Sequence, residues 1–258
     1  MNRPLINKEI ENYLKELHLP TVRAIFEEVA QTAGQEEASY QQYLLELIEK
    51  ECEVRRHKRI ERYLRESRLP LEKSFQSFDL KRLPTKVTRQ VKVLLEGAFL
   101  DGNENVLAFG NPGSGKTHLL CAIAMELIQR NRRVHFSTCS LLIQELLRAK
   151  QELRLDKALK KLSKYDALIL DDIGYVKHDR SEMEVLFTLF AQRYEQGSLM
   201  ITSNLPFSKW GEIFKDPMTT AAAIDRLVHH SVILELNVPS YRMEQAKKED
   251  KKKSSKQD

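Results

Sequence analysis

At 258 residues, with 41% hydrophobic and 31% charged side chains, the chain has the composition of a soluble protein of one large or two modest domains. No apolar run approaches the roughly 18 residues that a membrane helix needs, and the start, MNRPLINKEIENY, lacks a signal-peptide core, so a cytoplasmic location without a membrane partner is expected. The net charge of +5 is unevenly spread: Arg55–Lys73 holds eight Lys or Arg against three Glu, and Lys247–Lys256 holds six Lys against two acids, leaving the remainder net acidic. Basicity confined to two blocks points to a polyanionic partner, nucleic acid first.

In chain order, Ile10–Leu19 and Val22–Val29 are predicted as two short amphipathic helices broken at Pro20. Ser39 then has the chemistry of an N-cap for a longer helix, with Tyr40, Tyr43, Leu44, Leu47 and Ile48 at helical spacing and Ile60 and Leu64 extending the pattern before Pro70 stops it. Residues 1–70 are thus expected to form an all-helical module that binds DNA or a partner. Arg55, Arg59 and Arg62 share one face of the third helix, and Lys58, Arg62 and Arg65 an adjoining one; with Arg56 these are the DNA-contact candidates. The scarcity of acids favours that use, since a solubilising face usually mixes signs, although Arg and Glu as plain helix formers fit the same residues. Residues 71–104 read as a linker and a leading helix, with Phe75 and Phe78 anchoring the next domain.

From Asn105 apolar strands alternate with helical stretches. Strands are predicted near Val106–Phe109, Val134–Thr138, Ala167–Leu170, Leu199–Thr202 and Val232–Leu236, the pattern of an α/β parallel sheet with helices on both faces. Gly110–Thr117 reads GNPGSGKT and fits the phosphate-loop pattern without a mismatch, between a strand and an amphipathic helix. The expected nucleotide contacts are Gly110, Asn111, Pro112, Gly113, Ser114, Gly115, Lys116, Thr117 and His118. The glycines let successive N–H groups approach phosphate oxygens at the positive end of a helix. Lys116 would neutralise the β and γ phosphates, and the Thr117 hydroxyl would supply a ligand to Mg²⁺, so ATP or GTP with Mg²⁺ is the expected ligand.

ALILDD, at Ala167–Asp172, is an apolar strand ending in two carboxylates, which strand alternation would point to opposite faces. In a phosphate-loop enzyme Asp171 would hold the Mg²⁺ hydration shell and Asp172 would reach the attacking water. Asn204, ending the next strand, could orient that water or touch the γ phosphate; Ser-Asn-Leu-Pro is equally good turn chemistry. Between the second and third strands Arg148, Lys150, Arg154, Lys157, Lys160, Lys161 and Lys164 form another basic stretch, diluted by Glu145, Glu152 and Asp156. Lys150 and Arg154 join the DNA candidates, and a solvated helix fits almost as well. Cys52, Cys121, Cys139 and the seven histidines show neither a disulfide framework nor metal spacing, so no metal beyond Mg²⁺ is expected.

The order GNPGSGKT, LILDD, ITSN, AAIDRL and SYR resembles an AAA+ ATPase of the initiator and helicase-loader branch, and within it the IstB-like helper ATPases of bacterial insertion sequences. The resemblance covers nearly the whole chain, the Lys-rich tail at 243–258 excepted. It implies a five-stranded phosphate-loop sheet over residues 105–242, preceded by a small helical domain. It makes Gly110–Thr117 Walker A, Asp171 and Asp172 Walker B, Asn204 sensor 1, Arg226 an arginine finger and Arg242 sensor 2. A basic helix after the second strand would follow a nucleic-acid backbone. Two departures stand out. Asp172 replaces the usual Glu, which implies slow hydrolysis, and little chain follows the last strand, so the usual helical lid is absent or replaced by the N-terminal module.

An arginine finger acts on a neighbouring subunit's γ phosphate, so Arg226 in that role implies a homo-oligomer, a ring or a helical filament; otherwise it would form a surface ion pair with Asp225 or Glu212. The reading is a DNA-stimulated ATPase that oligomerises on double-stranded DNA, with little sequence preference, and assists a cognate transposase. A replicative helicase loader shares every ATPase motif and would use the N-terminal module to grip the helicase. A small-molecule kinase would ignore DNA, and a DNA-binding scaffold gated by ATP would tolerate loss of Asp172.

Overall fold

Five parallel strands in the order β2-β3-β4-β1-β5 form the frame on which the site is built. The computed structural model describes residues 3–174, 179–210, 217–241 and 243–244. The chain divides into two units, residues 1–62 and 63–258.

The first unit contains α1 (Arg3–Glu16), α2 (Pro20–Gln35) and most of α3 (Tyr40–Ser67). The first two helices are longer than predicted but the break is where Pro20 put it. Pro20 opens α2, where its fixed φ and missing N–H cost nothing. His18 adopts a left-handed φ of 54°, and the bonds Leu19 N–H to Leu14 O (2.8 Å) and His18 N–H to Lys15 O (3.1 Å) close α1 in a Schellman turn. Ser39 caps α3, accepting from Gln42 N–H at 3.2 Å while Gln42 Oε1 accepts from Ser39 N–H at 2.8 Å. Val22, Phe26, Val29 and Leu47 make a small core. Leu19 cannot cap α2, so buried Glu51 does, accepting from Thr21 N–H (2.8 Å), Val22 N–H (3.1 Å) and Arg55 Nε (2.7 Å). Burial pushes the Glu51 carboxyl up, but Arg55 and the two amides outweigh that push and hold it below its ordinary value.

The second unit has the strands β1 (Asn105–Gly110), β2 (Val134–Thr138), β3 (Ala167–Ile173), β4 (Ser198–Ser203) and β5 (Ser231–Leu236), all close to their predicted places. The middle of the sheet is buried on both faces, as parallel strands between helical layers must be. On one side α4 (Thr85–Glu96) packs against α6 (Lys116–Gln129); on the other α7 (Cys139–Gln151), α9 (Arg180–Arg193) and α10 (Pro217–Val228) form the second layer. The short α5 (Ala98–Asp101) leads into β1, and α8 (Leu155–Leu162) joins α7 to β3. No helix among the described residues is long and apolar enough to cross a membrane. Chain order scatters β1, β3 and β4, but sheet order makes them neighbours, about 4.8 Å apart, so whatever follows their carboxyl ends is brought together.

His135 on edge strand β2 is 8% exposed, with its ring 4.9 Å from that of Tyr165 and Nδ1 3.4 Å from the Glu66 carbonyl. Burial holds the imidazole below its ordinary 6.5, against the pull of that carbonyl. The unfolded chain then binds the proton first, so stability present above about pH 6.5 is lost as the pH falls below it. Thermal melts between pH 5 and 8 should show that loss, and His135→Phe should flatten it.

Candidate nucleotide site

Gly110 ends β1 and Lys116 begins α6, so GNPGSGKT spans the strand-to-helix turn. Gly113 and Gly115 hold φ of +77° and +95°, and a Cβ at Gly113 would lie 2.1 Å from Ser240 Oγ; only glycine fits there. The first-turn amides of α6 have no intrahelical carbonyl to bond. Lys116, 5% exposed, donates through Nζ to Gly110 O (2.9 Å), Asn111 O (3.0 Å) and Asn204 Oδ1 (2.6 Å). In the same loop Ser114 Oγ is a buried polar atom without a hydrogen-bond partner among the described residues. Helix-end amides, an ammonium and an orphaned hydroxyl are a donor set that suits a polyphosphate.

Across from the loop, Thr117 Oγ1 donates to Asp171 Oδ1 at 2.6 Å. That leaves the lone pairs of the hydroxyl for a cation, and one hydroxyl beside one carboxylate suits Mg²⁺, which keeps most of its waters. Asp171 is 7% exposed, whereas Asp172 is exposed and lines the cleft beside Lys116, Thr117 and Asn204. Regular alternation would not put both acids there. The pairing of β3 with β4 slips between Leu170 and Ile173, and Asp172 takes a left-handed φ of 58°, a conformation that the short, polar Asp accepts more readily than most residues.

The cleft, about 420 Å³, is of nucleotide size, and one wall of it was missed by sequence reasoning. Residues 71–84, read as part of a linker, lie over the loop. Phe78 meets His118 edge-on at 5.0 Å, and His118 Nε2 is 2.9 Å from Ser74 O. Phe78, Leu83, Val238 and Tyr241 supply apolar surface. Arg82 ties the wall to the chain's end: its guanidinium lies 5.0 Å from the Tyr241 ring centre, donates to Pro239 O at 3.2 Å and pairs with Glu244 at 2.9 Å. Tyr241 N–H in turn donates to Gly113 O at 2.9 Å. The available signal was Phe75 and Phe78, taken only as domain anchors.

Arg226 stands apart. Asn105, first in β1, donates to Leu227 O at 3.1 Å and accepts from Leu199 N–H at 2.9 Å, which pins the end of α10 to the amino ends of β1 and β4. Arg226, exposed beside Leu227, therefore lines a hollow with Asn103 and Tyr194, a strand length of about 20 Å from the carboxyl ends that carry Lys116. It does not reach the nucleotide site of its own chain. Arg242 and the Lys-rich tail lie outside the described residues.

The DNA candidates fall into different settings. On α3, Arg55 is engaged with Glu51 and the His18 carbonyl, while Arg56, Lys58, Arg59, Arg62 and Arg65 are exposed. After β2, Arg148, Arg154, Lys157, Lys160, Lys161 and Lys164 line one concave surface, joined by Arg68 and tempered by Glu145 and Glu152. Arg154 pairs with Glu152. Lys150 is not among them; it pairs with Glu184 on α9 at 2.8 Å, and that bond lowers the Glu184 carboxyl.

Comparison with known proteins agrees with this geometry. An insertion sequence ATP-binding protein of Sinorhizobium fredii is 44% identical over 90% of this chain and 78% of its own length. The IS5376 ATP-binding protein of Geobacillus stearothermophilus is 36% identical over 96% of this chain and 98% of its own, and the IS21 protein of Pseudomonas aeruginosa 36% over 93% and 91%. Among solved structures, AMPPCP-bound DnaA from Aquifex aeolicus aligns with a TM-score of 0.56 at 21% identity, over 72% of this chain and 56% of that one. The DnaC helicase loader aligns at 0.51 and 18%, over 58% and 88%; these likenesses give the AAA+ fold. Residues 12–249 match the family described as IstB-like ATP binding protein, and the chain belongs to that family.

Proposed function

We propose that this protein is a Mg²⁺-dependent cytoplasmic ATPase that assembles on duplex DNA and supports the transposase of an insertion sequence. The observation that carries the reading is the division of one ATPase apparatus between the two ends of the sheet. Lys116, Thr117, Asp171, Asp172 and Asn204 converge at the carboxyl ends, and Arg226 sits at the amino ends, a placement that supports a role at the site of another copy. Thr117 and Asp171 would hold Mg²⁺, which when bound neutralises charge on the β and γ phosphates. Lys116 binds and orients the γ phosphate, Asp172 accepts the proton of the attacking water, and Asn204 positions that water. The apolar wall of Phe78, Leu83 and Tyr241 excludes solvent from the base.

The exposed Arg and Lys of α3 and of the concave surface after β2 supply phosphate contacts, which predict little sequence selectivity and strong salt dependence. Relatives named for insertion sequences along almost their whole length favour a transposase over a replicative helicase as the partner. The test is ATP turnover and particle mass with and without duplex DNA, at stepped salt. Turnover stimulated by DNA in a large assembly, with binding that falls steeply as salt rises, is the expected result. A monomer whose turnover ignores DNA would overturn it in favour of a small-molecule kinase.

A further inference from the structure

We infer that Thr202, two residues before Asn204 on β4, is a positioning residue of the nucleotide site: its hydroxyl holds both Walker B acids in place, an inference that rests on the ATPase reading above.

The pairing of β3 and β4 makes the case. It runs in regular register from Ala167↔Ser198 to Leu170↔Ile201 and resumes at Ile173↔Ser203. Two residues, Asp171 and Asp172, therefore stand opposite one, Thr202. A bulge of this kind takes a backbone group out of the ladder and re-aims a side chain, and the group left over must find another partner. Here Asp172 N–H donates to Thr202 Oγ1 at 2.8 Å, and Thr202 Oγ1–H donates to Asp171 Oδ1 at 2.7 Å.

Both bonds matter to the site. The bond from the amide stabilises the left-handed turn that brings Asp172 into the cleft. The bond to the carboxylate, with that of Thr117 at 2.6 Å to the same oxygen, uses both lone pairs of Oδ1 and fixes the rotation of Asp171. Thr202 is 0% exposed, so no water can substitute for it. The task needs a group that accepts and donates at once on a branched side chain filling a core position; Ser does the first part, Val the second, and only Thr does both. Because Asn204 Oδ1 contacts Lys116 at 2.6 Å, the end of β4 positions the metal carboxylate through Thr202 and the phosphate ammonium through Asn204.

The test compares the wild type with Thr202→Val and Thr202→Ser, using a fluorescent ATP analogue titrated with Mg²⁺, ATP turnover, and thermal melts of the full chain. Thr202→Val should raise the Mg²⁺ concentration needed for half-maximal tightening by about 10- to 100-fold, the usual effect of losing a bond to a metal ligand. It should lower kcat by a similar factor and leave affinity for the analogue in EDTA unchanged. Thr202→Ser should keep the wild-type Mg²⁺ requirement and turnover, and melt somewhat lower for the lost methyl. A folded Thr202→Val protein with the wild-type Mg²⁺ requirement would overturn the inference, as would equal Mg²⁺ defects in Val and Ser. If the Val variant does not fold, Thr202→Cys, of similar size but a weak hydrogen-bonding group, should show the same direction of shift, and a wild-type Mg²⁺ requirement there would overturn it equally. If the wild type hydrolyses no ATP, the ATPase reading fails by itself and the Mg²⁺ titration of binding still decides the role of Thr202.

Discussion

Replacing Arg226 with alanine should lower ATP turnover by a factor on the order of 10³ or more without weakening nucleotide binding. The side chain is exposed on α10 and donates to the Ala222 carbonyl of its own helix at 3.3 Å, and the loss of one exposed bond of this kind removes little from the fold. Asn105 holds that end of α10 at the amino edge of the sheet, far from Lys116 of the same chain. In the proposed assembly the effect would fall on a neighbouring subunit. Mixing provides the decisive measurement: Lys116→Ala subunits keep Arg226, Arg226→Ala subunits keep a working phosphate loop, and neither alone should hydrolyse ATP. A mixture should recover part of the activity at interfaces between them. No recovery, with both variants still assembling on DNA, would remove Arg226 from the site.

The second large effect concerns stability. Arg193 ends α9, is 3% exposed, and donates to the carbonyls of Tyr165 (2.8 Å), Asp166 (2.9 Å), Ser198 (3.0 Å) and, more weakly, Leu162 (3.5 Å). One guanidinium thus ties the approach to β3 to the start of β4. Burial lowers its pKa to about 10, so it stays charged at neutral pH. Arg193→Met would fill much of the volume but take the guanidinium donors from the Tyr165 and Ser198 carbonyls, while those of Asp166 and Leu162 keep the amides of Ser198 (3.0 Å) and Tyr165 (3.2 Å), at a cost of about 3 kcal/mol. In a domain of this size that is a fall in Tm of roughly 10 °C. Gly197→Ala should act through the same group, since its Cβ would lie 2.3 Å from Arg193 Nη2 and the pinned guanidinium cannot move aside. A melt of either variant within about 1 °C of the wild type would refute this account.

The strands were legible because parallel strands buried on both faces leave continuous apolar runs, as in LILDD and LMIT. The phosphate loop was legible because few residue types satisfy its backbone. Helix ends were less so. Besides His18, α6 and α7 end in left-handed turns at Asn131 and Leu153, φ 68° and 54°, each with a Schellman pair of bonds; where the usual glycine is replaced, the stop signal vanishes from the sequence. The wall of the cleft was hidden for another reason. Phe78 and Arg82 gain meaning only from His118 and Tyr241, distant in sequence, and no local pattern announces such a pairing. Asp171 and Asp172 were found by motif, but the bulge that brings Asp172 into the cleft beside the loop depends on the register with β4.

The ammonium of Lys116 has three protons, and three oxygens already hold them. Recruiting it is consequently a substitution, not an addition: an arriving phosphate gains Lys116 by taking it from Asn204 and from the carbonyls of the loop. Before a ligand comes these bonds tie the loop to the tip of β4, and on the proposed function the amide of Asn204 would be released as the γ phosphate takes the ammonium. Occupancy would so be converted into a change at the tip of a central strand.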